Sequence, residues 1–348
     1  MSIRVHPWFE FFLNLNLNLN LILFLWYNPA IFVNEKKRNL EAEIMASGRK
    51  KQLQGIIVPL VTPLSRPDRV DRAGLRRLIK YVLKNGANGI FVLSAIGESP
   101  WLIPDMKKTV AETVVAMVDG RVPVAVGVDD PCPALMKKNI ELAAHTGADA
   151  VVLNAPQAFP LGLDELAVFF EQAAASSPLP LWLYDVPTLP KSHLAPELVQ
   201  RLSGNSRIAG IMDSHSDVAS LQELLQRYRG RRDFRIFTGV DTLLAEAALF
   251  HGAGGIPGGA NVDPALFAGI HGAAKRRDFK TVDRLQRRVT QLNAIYRHGR
   301  YWSSYIKGIK TALSLMGICS SVMSGTFTPL PDAEVAAIGD ELKNLGLV

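Results

Sequence analysis

Cysteine is almost missing from this chain. Cys132 and Cys319 are the two present in 348 residues, far apart and with no C-x-x-C pair. That argues against a disulfide framework and against a cysteine zinc site, and for a reducing compartment; the expected location is cytoplasmic. Long basic runs are missing too. The formal charge is +7, but the basic residues gather only in small groups, at 36–38, 49–51, 229–232 and 275–277, with no interleaved aromatic residues to stack on bases. Nucleic acid is therefore not an expected partner, and these charges read as solvated faces.

The chain also lacks an apolar run long enough to span a bilayer as a helix. Residues 8–33 alternate Leu and Asn in their middle, a period of two that suits a half-buried strand. Their purely apolar part, Leu21–Tyr27, is too short to cross. A secretory signal is a poor match, because little positive charge precedes the run and no A-x-A-like site follows. A charged stretch from Asn34 to Glu43 then leads to Met45, beyond which the composition becomes ordinary. Met45 is the expected natural start. Residues 1–53 are expected to lie outside the fold, with a membrane-surface anchor as their alternative role.

What is present is a repeat. Hydrophobic residues make up 48% of the chain, enough for a large core. From Gly55 onward, short apolar runs alternate with segments of helical period, the signature of repeated βα units. The runs begin near residues 55, 89, 123, 150, 181, 208, 235 and 254. Eight such units predict a closed (β/α)8 TIM barrel over residues 54–278, with an open doubly wound sheet as the runner-up. No G-x-G-x-x-G opens a helix after the first strand, so the dinucleotide-binding version lacks its motif. Residues 279–348 continue as three helices, a C-terminal helical appendage.

Barrel enzymes place their chemistry at the C-terminal ends of the strands. That rule selects Ser94–Ser99, Asp129, Asp130, Asn154–Phe159, Tyr184, Asp185, Met212, Asp213, His215, Asp241 and the stretch around Ile256. Six carboxylates, Glu98, Asp129, Asp130, Asp185, Asp213 and Asp241, fall near this rim. They could hold a divalent cation, with His215 as acid or base, although Asp213 or Ser214 could equally cap the next helix. The glycine-rich run 252–261 reads as close backbone approach in preference to a phosphate site.

The motifs then become specific. GIIVPLVTP at 55–63, G-E-S at 97–99, L-Y-D-V-P at 183–187, G-I-M-D-S at 210–214 and G-x-D at 239–241 fall in one order and spacing, joined by A-N-V-x-P at 260–264 and I-K-x-A-L at 309–313. In combination they resemble the dihydrodipicolinate synthase / N-acetylneuraminate lyase family over about residues 54–345. The resemblance implies a pyruvate-dependent aldolase that forms an imine on a lysine ending strand 6. Here that position is Met212, and a thioether has no N–H with which to form an imine. Lys191 is the closest spare amine.

Other family positions depart in the same direction. Two threonines that precede G-E in the family are Ala95 and Ile96 here, leaving only backbone N–H groups for a carboxylate. A tyrosine supplied after strand 4 would fall near Gln157 or Ala158, and an arginine after strand 5 maps to Leu189. Tyr184 is the retained proton relay, or else a tyrosine that packs its ring and donates one hydrogen bond. The candidate substrate-binding residues are Ala95, Ile96, Asp185, Asp213, His215 and Ile256, with Tyr184 as the candidate catalytic group.

The expected activity is that of a lyase or aldolase-like protein acting on or binding a small 2-keto acid or aldehyde, without the lysine imine. A catalytically inactive homologue that binds a metabolite or partner is one alternative, and a carboxylate-held metal-assisted lyase another. No cofactor is expected, and the resemblance implies a dimer or tetramer.

Overall fold

The computed structural model describes residues 51–157, 159–186, 193–325 and 327–348. The expectations for residues 1–50, Ala158, Leu189 and Lys191 lie outside them; Leu53, expected beyond the fold, is instead buried in the barrel's core cluster, where its apolar side chain leaves water. Eight parallel strands close into a barrel: β1 (Gly55–Pro59), β2 (Gly89–Val92), β3 (Val124–Gly127), β4 (Ala150–Asn154), β5 (Leu181–Asp185), β6 (Ile208–Asp213), β7 (Arg235–Thr238) and β8 (Gly254–Gly255). The last strand pairs with the first, Gly55 opposite Gly254. That closure removes both sheet edges and disposes of the open-sheet alternative.

Helices follow the strands in turn: α1 (Arg72–Lys84), α2 (Pro104–Val118), α3 (Pro133–Thr146), α4 (Leu163–Ser176), α5 (Pro196–Leu202), α6 (Val218–Arg227), α7 (Leu244–Leu249) and α8 (Pro264–Lys275). Their starts obey local chemistry. Proline occupies the first turn of α2, α3, α5 and α8, where its missing N–H is not needed. Asp71 accepts the N–H of Gly74 at the head of α1. At α6 the cap is Asp217, which accepts from Ala219 and Ser220. Neither Asp213 nor Ser214 caps that helix, because it begins at Val218, with four residues between it and Asp213 and three between it and Ser214. Gly86 follows α1 at φ +97°, a conformation that favours glycine.

A short hairpin at Leu64–Arg66 and Arg69–Val70 interrupts the first βα connection, a detail absent from the period reading. Three helices end the chain: α9 (Phe279–Leu292), extended by a 3-10 turn at Asn293–Tyr296, α10 (Ser304–Leu315) and α11 (Asp332–Asn344).

Inside the barrel, Ile57, Phe91, Val152, Trp182, Met212, Phe237 and Ile256 form one buried cluster that includes Tyr184. Trp182 meets Phe237 edge to face with ring centroids 5.3 Å apart. The interior is thus packed, as small barrels require. Any binding space must lie above it, at the strand ends.

Candidate active site

A cavity of about 830 Å³ opens at that end of the barrel, within the size range of small-molecule sites. Tyr184 of β5 reaches its wall, as do Ala95 and Ile96 of the β2 loop and Ile256 beyond β8. The amides of Ala95 and Ile96 donate no backbone hydrogen bond among the described residues. The loop that carries them is strained at both ends, with Leu93 at φ 58° and Glu98 at φ 60°.

It is held from the far end of the chain. Glu98 Oε1 lies 2.6 Å from Lys310 Nζ, and Glu98 Oε2 accepts from Ser324 N–H and Oγ–H at 2.7 and 2.6 Å. Both charged side chains are completely buried. Burial lowers the Lys310 ammonium from its ordinary value, and Glu98 opposes that. Glu98 is therefore committed to an ion pair.

Side-chain alternation divides the remaining candidates. Tyr184 and Met212 are register partners on β5 and β6 and face the interior; Met212 is wholly buried and forms no part of the cavity wall. The next residues along, Asp185 and Asp213, are also register partners and face the other way. They lie outside the cavity wall with His215, and with His193, which the sequence reading did not select. His215 Nδ1 is 2.7 Å from Asp213 Oδ1. That bond, with the surrounding carboxylates, raises the imidazole above its ordinary value against the effect of burial. The strand-end rule thus brought together two sets of residues that the structure separates.

Tyr184 packs edge to face on Phe91 at 5.6 Å. Burial pushes its hydroxyl well above the usual phenol range, a hydrogen bond with Ser214 opposes this, and the charge of Asp129 adds to it. Asp129, on the wall, accepts the Asn154 N–H at 2.6 Å; burial lifts it to about 6 against that bond and the charge of Lys107.

Asp241 is the most perturbed carboxyl of the wall. Burial raises it to about 7, against hydrogen bonds from Gly259, Tyr296 and Gly258. Its Oδ2 receives the Gly259 N–H and the Tyr296 hydroxyl, each at 3.2 Å. Its buried Oδ1 has no partner among the described residues. A Cβ on Gly259 would sit 2.6 Å from Asp241 Oδ2, so the glycine-rich run does serve close approach.

Tyr296 and Tyr305 were missed by the sequence reading. Their rings lie 4.4 Å apart over the barrel mouth, beside Trp302 on the same wall. They come from the helical appendage, which no strand-end rule reaches. The available signal was four aromatic residues, Tyr296, Tyr301, Trp302 and Tyr305, within ten positions. Lys107 was missed because it stands on α2 and not at a strand end, and it is the lysine of the wall among the described residues.

The fold and this cavity define a (β/α)8 barrel with its site at the C-terminal mouth. The chain belongs to the dihydrodipicolinate synthetase family, whose model matches residues 52–345. It is 33% identical to a probable 2-dehydro-3-deoxy-D-pentonate aldolase of Escherichia coli K12, over 77% of this chain and 89% of that protein. Among solved structures it resembles dihydrodipicolinate synthase from Bacteroides thetaiotaomicron, with 38% identity, a TM-score of 0.81, and 85% of this chain and 100% of the other covered. A family protein of Escherichia coli K12 solved in complex with pyruvate is 28% identical, with a TM-score of 0.80 over 85% of this chain and 99% of its own. No helix among the described residues is long and apolar enough to cross a membrane.

Proposed function

We propose that this chain acts on or binds a small 2-keto acid or aldehyde in the cavity above the barrel, without a lysine imine. The relatives support the substrate class: one is named as an aldolase of a 2-dehydro-3-deoxy sugar acid, and another was solved with pyruvate. The absence of the imine rests on one observation, Met212, a wholly buried thioether at the end of β6. Lys107, on the wall, stands on a helix and not at a strand end. Acid–base work then falls to Tyr184 and to Asp241 with its partner Tyr296.

The occupant is larger and more apolar than a three-carbon acid. The mouth carries Trp101, Phe327 and Trp302, and the Trp101 and Phe327 rings meet at 4.8 Å. Such surfaces favour a keto acid or aldehyde with a hydrocarbon or aromatic tail.

A binding protein without turnover is the second reading. Ala95 and Ile96 favour it, since they put methyl groups on the wall where hydroxyls would relay protons. The deciding experiment is borohydride reduction in the presence of pyruvate and of longer, aromatic 2-keto acids, followed by peptide mass analysis and a ligand-induced melting shift. A melting shift without a covalent adduct supports the proposal. An adduct on any lysine overturns it. Product formation in a carbonyl-release assay separates enzyme from binding protein.

A further inference from the structure

We propose that Asp185, His193 and His215 form a binding site for one borderline divalent transition cation, of which zinc(II) is the archetype, on the outer side of the β5 and β6 strand ends. The inference is independent of the keto-acid reading, because none of the three residues lines the cavity.

The donor geometry comes first. His193 Nδ1 lies 3.3 Å from Asp185 Oδ2, and His215 Nδ1 lies 3.6 Å from the same oxygen. One ligand atom from each of the three residues falls within 4.8 Å of the others. Ligands held 2.0–2.1 Å from a tetrahedral ion sit roughly 3.3 Å apart, so both histidines already stand near that separation from Asp185 Oδ2, and any wider pair, up to 4.8 Å, closes in on the ion. Three protein ligands leave a fourth position for water or an exogenous donor.

Charge balance points the same way. The parallel register sets Asp185 against Asp213 on adjacent strands, and both carboxylates are buried. Among the described residues their ion-pair partners are the two histidines, with no lysine or arginine. Two neighbouring carboxylates in a poorly hydrated place call for a cation. Asp185 Oδ1 is buried and has no hydrogen-bond partner among the described residues, which leaves lone pairs for a metal.

The surroundings hold the ligands in place. The same His215 Nδ1 lies 2.7 Å from Asp213 Oδ1, so the ion displaces that hydrogen bond when it takes this nitrogen. Asp185 is fixed in turn by the Leu194 N–H, 2.9 Å from Oδ2. The donor set selects the ion: two imidazoles and one carboxylate suit zinc and its transition-metal neighbours, whereas magnesium and calcium prefer oxygen alone. Bound there, the cation joins the segment after β5 to the segment after β6, one residue from Ser214, which stands on the cavity wall beside Tyr184.

The test uses the purified full chain and zinc chloride. Calorimetric titration and metal analysis after dialysis are expected to give one zinc per chain. His193→Ala and His215→Ala are each expected to weaken binding at least about tenfold, while His145→Ala, an exposed histidine on α3, leaves it unchanged. The His193 side chain is 61% exposed, so its removal leaves folding intact, as a melting curve of the metal-free variant verifies. Failure of the wild type to hold stoichiometric zinc overturns the proposal. So does stoichiometric binding that survives both histidine substitutions, or a preference for magnesium over zinc.

Discussion

Lys310 Nζ lies 2.6 Å from Glu98 Oε1, with both side chains wholly buried, so that α10 grips the β2 loop forming one wall of the cavity. Breaking a buried pair from one side leaves an uncompensated charge, which commonly costs about 3–5 kcal/mol. Lys310→Met is expected to lose stability on that order in urea unfolding, with part of the loss recovered when Glu98→Gln is added. A double variant no better than the single one would show that the ion pair does not organise this loop.

Met212→Lys would place an amine in the apolar barrel interior, next to Tyr184 in the neighbouring strand. Burial disfavours its charged form and keeps a neutral, nucleophilic amine at working pH. The variant is expected to melt below the parent and to form a borohydride-stable pyruvate adduct at position 212, which the parent does not. A folded variant with no adduct would mean that the pocket has diverged beyond this one residue.

The pH dependence follows from Asp241. Its ordinary value is 3.8, and burial raises it to about 7 in the folded protein. Between those values the folded state holds a proton that the unfolded state has released. Stability from this group is therefore full below about 4 and is lost as pH rises to about 7. A rise of that size is worth on the order of 4 kcal/mol. Asp241→Asn is expected to flatten the decline in thermal stability between pH 4 and pH 7. An unchanged slope would assign the decline to other groups.

Gly259→Ala forces a Cβ to within 2.6 Å of Asp241 Oδ2 and 2.5 Å of the Tyr296 hydroxyl. Such overpacking typically costs 1–3 kcal/mol, and here it also separates the carboxyl from its partners. Ligand affinity, measured by the melting shift with a 2-keto acid, is expected to fall with stability. Retained affinity would remove Asp241 and Tyr296 from the site.

The barrel was legible because its signals are local. Apolar runs such as 181–185 and prolines opening α2, α3, α5 and α8 each act within a few residues, and repetition of one unit eight times leaves few ways to close the sheet. The candidate residues were legible only as positions. Strand ends could be counted, but a count does not tell which way a side chain points. Tyr184 and Asp185 are neighbours in sequence, yet the pleat sends one toward the barrel mouth and the other to the outer side.

What the chain alone determined was the eightfold repeat, its family motifs and a methionine, Met212, at the end of the sixth strand. The tertiary structure decided which groups meet. It committed Glu98 to a lysine 212 positions away, brought Tyr296 and Tyr305 from the appendage over the mouth, and put His193 beside Asp185 and His215. Periodicity records how a segment relates to a core, whereas a site depends on distances between segments. Those distances exist only once the barrel closes and its last helices pack against it.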